Sequence, residues 1–254
     1  MNAQNGNWSD SDNRDTSWGS DYASTTSFTI TTPEQFAQFA YMVNSGSDFS
    51  GKTVTLDNGE KTIEYQGQVY PQTIWYDGYL RDHYWTPIGT VAHPFNGTFD
   101  GNEKSVNYVR IIGEDGYQGF FGYIGTGGLV QNLVLDYGSN ISGSTQVGAL
   151  AGFNGGTVQN CVVLNATVSG TSYVGSIIGQ NAGTATGCYS INCTGALALG
   201  ADGSNTGVDI NGVQCLYKVE GDYYTETSVG TATGVTVGSA VYYNDGIQYN
   251  AYHY

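Results

Sequence analysis

Positive charge is scarce in this sequence: seven Lys and Arg stand against 22 Asp and Glu in 254 residues, a formal net charge of −15. Tracking a phosphate backbone or an anionic membrane surface needs the opposite sign, so nucleic acid is excluded as a partner. Charge of either sign is sparse, at 11% of residues, yet 39% are hydrophobic, which supplies a core and argues against a disordered chain. No apolar run approaches the ~18 to 20 residues of a membrane-spanning helix, so no membrane insertion is expected. The start, MNAQNGNWSDSDNRD, has neither the basic nor the apolar stretch of a signal peptide. The expectation is a soluble chain, suited by its acidity to an extracellular or cell-surface setting; if it is exported, its signal has been removed. The three histidines, His83, His93 and His253, have no metal-ligand spacing, and no Ser-His-Asp or Cys-His arrangement can be argued. No metal and no cofactor are expected.

What is abundant is turn and strand material: 38 Gly and 21 Tyr, with frequent Thr, Ser and Asn. It is arranged as a repeat. Val147, Gly148, Gly152, Asn154 and Cys161 recur 27 positions later as Val174, Gly175, Gly179, Asn181 and Cys188, and the same step reaches Cys215. An upstream copy carries Gly119, Phe120, Phe121 and Gly122, then Val130-Gln131-Asn132 in place of Val158-Gln159-Asn160. A more diverged copy, KSVNYVRI, aligns Asn107 with Asn132 and Asn160. Each unit holds three apolar or β-branched stretches, such as GALAG, TVQNCVVL and ATVSG. A unit this short cannot bury its own apolar face, but stacking units ~4.8 Å apart lets each strand pair with the one below. The pattern predicts an all-β chain, a right-handed parallel β-helix of about five or six coils with three short strands per coil. Asn107, Asn132 and Asn160 form one expected file, with Leu133, Cys161 and Cys188 beside it.

Four cysteines would suit two disulfides in an exported protein. Stacked positions with parallel Cβ vectors lie farther apart than the ~3.5 to 4.5 Å a bridge prefers. Cys161, Cys188 and Cys215 are therefore expected as an inward ladder of unpaired thiols.

Ahead of the repeats, Phe28-Thr29-Ile30 reads as a strand and Thr32-Pro33-Glu34-Gln35 as a helix start, with Thr at the N-cap and Pro at the first helical position. Phe36, Phe39, Ala40 and Val43 follow at helical spacing and Gly46 closes the segment. Such a helix would cover an open solenoid end, whose exposed strand edges invite aggregation. Residues 1–25 read as a polar N-terminal segment. Residues 26–254 read as one β-helix domain, with the capping strand and helix at 28–46, an insertion at 57–84, repeats over 95–242 and a Tyr-rich end.

The run FTITTPEQFAQFAYMVNSGSDFSGKTVTL, then WTPIGT, FNGTFDGNEKSVNYVRI and the GFFG, GALAG and GSIIG repeats, closely resembles the GLUG-motif proteins over Phe28 to Ser190. The resemblance implies a bacterial surface or secreted β-helix, usually without assigned activity, and it brings no catalytic residues. Two stretches depart from the family pattern: the insertion before Trp85, and everything after about Ser190.

Three functions remain open: a non-catalytic surface module binding glycan or protein, a structural spacer, and a carbohydrate-active enzyme. An enzyme would need acidic residues paired across a cleft, at ~5 to 9.5 Å for a glycosidase. Asp100, Asp202 and Asp209 sit in turn-like sequence, and Asp10 to Asp15 reads as polar tail. Aromatic residues crowd the insertion instead. Trp75, Tyr76 and Tyr79 flank an expected Asp77-Gly78 turn beside Arg81, Asp82 and His83, a mixture that could stack on sugars and orient their hydroxyls. The same aromatics could equally pack onto the flank of the solenoid to order a long loop.

Overall fold

The computed structural model describes residues 7–57, 60–65, 68–73, 83–136, 138–191 and 193, with short strands at Val208–Asp209, Leu216–Tyr217, Val235–Val237 and Ala240–Asn244. It is a parallel β-solenoid with one short helix near its N-terminus. The coils are built from β1 (Ser27–Ile30), α1 (Pro33–Asn44) and β2 (Thr53–Leu56), then, after the hairpin β3 (Glu60–Tyr65) and β4 (Gln68–Thr73), from β5 (Thr98–Asp100), β6 (Ser105–Asn107) and β7 (Arg110–Ile112). Next come β8 (Phe121–Ile124), β9 (Leu129–Gln131), β10 (Val134–Asp136), β11 (Asn140–Ser142) and β12 (Thr145–Gly148). The same five segments recur as β13 (Ala151–Asn154), β14 (Thr157–Gln159), β15 (Val162–Leu164), β16 (Thr167–Ser169) and β17 (Ser172–Gly175). A third round begins with β18 (Ile178–Asn181), β19 (Thr184–Thr186) and β20 (Tyr189–Ile191).

Strands stack in files, the deepest being the six-stranded β1-β2-β5-β9-β14-β19. Its inward positions run Phe28, Val54, Phe99, Val130, Val158 and Ala185, all buried and tapering from aromatic to small. Val106, Leu135, Val163 and Ser190 form a second inner ladder, and Ile111, Ile141 and Val168 a third.

The three sequence stretches per coil resolve into five hydrogen-bonded segments. TVQNCVVL is two strands, β14 and β15, because Asn160 between them is left-handed with φ 53°, as is Asn132 one coil earlier with φ 54°. Asn tolerates this region through its short polar side chain, and Gly187 takes the same conformation one coil on. Leu133, Cys161 and Cys188 lie fully buried beside this corner. Asn107 does not join the file. It pairs with Asp136, one corner further along, because the turn from Asp100 to Ser105 is longer than the one from Gln131 to Val134 and holds two left-handed residues, Asn102 and Glu103.

The rings at the N-terminal end are wide enough to admit α1. Thr32 caps the helix by accepting from Gln35 N, while the Gln35 side chain accepts from Thr31 N at 2.8 Å, so first-turn donors and the approaching chain are tied together. Phe36 and Phe39 are fully buried and lie against Phe95, Phe99, Phe120 and Trp85, closing the end of the core. Asn44 clasps the following coil, donating to Pro87 O at 2.9 Å and accepting from Gly89 N at 2.8 Å.

The described part of the N-terminal segment, residues 7–26, is polar in composition but is not a tail. Trp8 is buried and donates its backbone N–H to Tyr84 O, Trp18 donates from Nε1 to Thr29 O at 2.8 Å, and Tyr22 packs on Phe49. Three aromatic anchors outweigh the surrounding Ser and Asp. The Arg14 guanidinium lies 3.6 Å above the Tyr41 ring and donates to Gln38, which fixes the segment along α1.

Candidate binding surface

Of the residues singled out in the insertion, Trp75, Tyr76, Tyr79, Arg81 and Asp82 lie outside the described residues, as does Cys215. His83 is described and faces the core side of the N-terminal segment: its ring meets Trp8 edge-on at 5.0 Å. Asp100 is held in place by three donors, Gln131 Nε2 at 2.7 Å, Asn132 Nδ2 at 3.1 Å and Asn102 N at 2.8 Å, so it closes a turn and anchors a ladder of amides. Gln159 continues that ladder by donating to Gln131 Oε1 at 2.8 Å. Among the described residues no three His, Cys, Asp or Glu gather for a metal ion. An apolar cleft of about 190 Å³ between Trp8, Ala37, Ala40, Tyr41 and Trp85 is smaller than the ~300 to 1,000 Å³ of ordinary ligand pockets.

The cysteines are structural. Cys161 and Cys188 are buried and free, and their thiols also lie near backbone carbonyls; Cys193 is buried as well. Burial, reinforced by Cys188, pushes the Cys161 thiol well above its ordinary range, which removes its nucleophilic form.

A different surface emerges where the solenoid presents β8, β13 and β18. Their inward residues are Phe121, Ala151 and Ile178, and their outward ones Tyr123, Phe153 and Gln180. The corner just before them carries Tyr117, Gln146 and Tyr173, aligned by the pairing of Gln118 with Val147 and of Val147 with Val174. Six planar, uncharged side chains thus form two adjoining files on one outer wall.

The contacts within the wall are specific. Tyr123 and Phe153 stack at 4.4 Å with planes 20° apart, and Tyr117 leans on both at 5.6 and 6.4 Å. Gln146 Nε2 donates to Gln180 Oε1 at 3.2 Å, leaving the Gln146 oxygen and the Gln180 NH2 turned to other use. Tyr173 is 43% exposed and makes no ring contact among the described residues. Partial burial, and then Tyr117 beside it, raise the Tyr123 hydroxyl above its ordinary value, so this edge of the wall stays neutral.

The corner conformation is the informative feature. Tyr117, Gln146 and Tyr173 all have positive φ, at 58°, 51° and 52°. A bulky residue there costs about 1 to 2 kcal/mol, and the neighbouring corner shows the cheaper solution in Asn132, Asn160 and Gly187. Strain of this kind gathers where a side chain is kept for what it contacts. The signal was present in the repeat: each of these residues stands two before the first Gly of the motif, as in Tyr117-Gln118-Gly119 and Tyr173-Val174-Gly175, and each wall partner follows the second Gly.

Neither a family model nor a solved structure matches the chain. The chain is 43% identical over 82 residues to a protein of Evansella cellulosilytica whose name describes a Gly-rich membrane protein. The match covers 31% of this chain and 10% of that protein, so the chain spans a small part of the relative's length. No helix among the described residues is long and apolar enough to cross a membrane.

Proposed function

We propose that this chain is a non-catalytic recognition module of an exported or cell-surface protein, and that its outer wall of Tyr117, Tyr123, Phe153, Tyr173, Gln146 and Gln180 is the contact surface for a glycan or protein. The observation that carries the reading is the strained corner file, where three left-handed positions retain large hydrogen-bonding or aromatic side chains instead of Asn or Gly. The resemblance to GLUG-motif surface proteins points the same way, as does a membrane protein as relative. A carbohydrate-active enzyme is the weaker alternative, since Asp100 is engaged by three donors from its own coil and the next and is not poised over a cleft.

The test is an array of immobilised glycans and extracellular matrix proteins, probed with the native chain and with a Tyr173→Ala/Gln146→Ala variant. Binding by the native chain that the variant loses supports the reading. Absence of binding across the array, or binding that the two substitutions leave intact, overturns it.

A further inference from the structure

We infer that the wall takes a neutral, extended pyranoside chain laid along the solenoid axis, a ligand class that rests on the reading of the wall as a contact surface. Charge decides against the anionic glycans. The six wall side chains include no Asp, Glu, Lys, Arg or His, the exposed Glu114 and Asp115 stand three and two residues before Tyr117, and the chain as a whole carries −15. An acidic polysaccharide or a phosphorylated surface would be repelled with nothing to compensate it.

Chemistry and spacing favour a sugar chain over a protein. Protein contact surfaces centre on apolar cores with Arg, Met and aromatic anchors, whereas this wall offers rings and amides with no aliphatic or cationic member. A sugar hydroxyl both donates and accepts, and the Gln146 and Gln180 pair offers one of each, since their mutual hydrogen bond leaves an amide oxygen and an NH2 unused. Tyr123 and Phe153 cover one another's faces, so they present edges and a hydroxyl, while Tyr173 keeps a ring free to stack on the CH face of a pyranose. Successive coils repeat every ~4.8 Å, comparable to the length of one hexopyranose, so a polymer of equal units meets Tyr173, the amide pair and the Tyr117–Tyr123 edge in turn. The built length corresponds to roughly three units at that coil spacing.

The experiment is calorimetric titration of the full chain with cello-, xylo- and β-1,4-manno-oligosaccharides of two to six units, with oligogalacturonate as the anionic counterpart. Affinity for at least one neutral series should rise from two units to about three or four and then level off. Tyr173→Ala and Gln146→Ala should each lower it tenfold or more, and Tyr173→Phe should hold it within about threefold, with circular dichroism showing the variants folded. Wall-dependent binding of oligogalacturonate, or of an arrayed protein, with no neutral series bound overturns the ligand class and leaves the wall a binding surface. Neutral binding that neither alanine variant changes overturns both this inference and the reading of the wall.

Discussion

Asn154 is fully buried in the solenoid interior, at a position occupied by Ile124 one coil earlier and Asn181 one coil later. Its Nδ2 donates to Asn181 Oδ1 at 2.7 Å and Thr184 O at 3.1 Å, and its Oδ1 accepts from Gly156 N at 3.0 Å. Asn154→Ala removes all three bonds without removing their partners. The Gly156 N–H and the Asn181 amide oxygen lose their partner in the buried interior, and each stranded group costs about 1 to 3 kcal/mol. The expected loss is therefore about 2 to 6 kcal/mol, a large share of the ~5 to 15 kcal/mol that holds a typical domain together. Changing Asn154 and Asn181 together to Ile should cost less than the sum of the single changes, because both ends of the 2.7 Å bond disappear at once. Urea unfolding followed by circular dichroism reads both effects as shifts in the midpoint. A loss under about 1 kcal/mol for Asn154→Ala, or strict additivity in the double variant, would refute the account of the interior asparagines as a coupled ladder.

Phe36→Ala on α1 should destabilise the chain by about 3 to 5 kcal/mol, since Phe36 is fully buried against Trp85, Phe99 and Phe120; calorimetry showing a small shift in Tm would mean that the helix is not part of the core. Cys161 and Cys188 should resist alkylation in the native state and both be labelled after denaturation without reductant; mass spectrometry finding either in a bridge would contradict their free state. Because burial raises the folded Cys161 thiol above its ordinary value of 9.0, its contribution is complete below that value and declines as pH rises beyond it, so Tm should fall with alkali less steeply in Cys161→Ala. Asp15 behaves in the opposite sense. Ser17 donates to it and holds its pKa below the ordinary 3.8, so its small contribution is present above that value and disappears as pH falls through the folded pKa; Asp15→Asn should remove this part of the acid melt.

The coil was legible because its inward residues and glycines repeat in a fixed register, as Val147 with Val174 and Asn154 with Asn181 do. The register of the diverged unit was not, since the length of the corner at Asn102 and Glu103 is decided by backbone conformation and leaves no apolar mark. Trp8, Trp18 and Tyr22 were hidden for a related reason: single aromatics in a Ser- and Asp-rich stretch have no periodicity until α1 and β1 give them a surface. The wall leaves little mark because outward positions of a solenoid look unconstrained in one sequence, and the denser aromatic run lies elsewhere, from Trp75 to Tyr84. That Tyr117, Gln146 and Tyr173 share one strained conformation is a fact of backbone geometry alone.

On the proposed reading of the wall, Tyr117, Gln146 and Tyr173 are kept at a cost in stability for the sake of contact. Asn adopts the left-handed region more readily than Tyr or Gln, so replacing Gln146 and Tyr173 together by Asn relieves strain of about 1 to 2 kcal/mol per position, against the modest packing lost from the exposed Tyr173 ring and the Gln146–Gln180 bond. The decisive measurement is Tm and glycan affinity on that one variant. The expected result is an unchanged or raised Tm with binding reduced tenfold or more. A Tm lowered by several degrees, or binding retained in a folded variant, would contradict it.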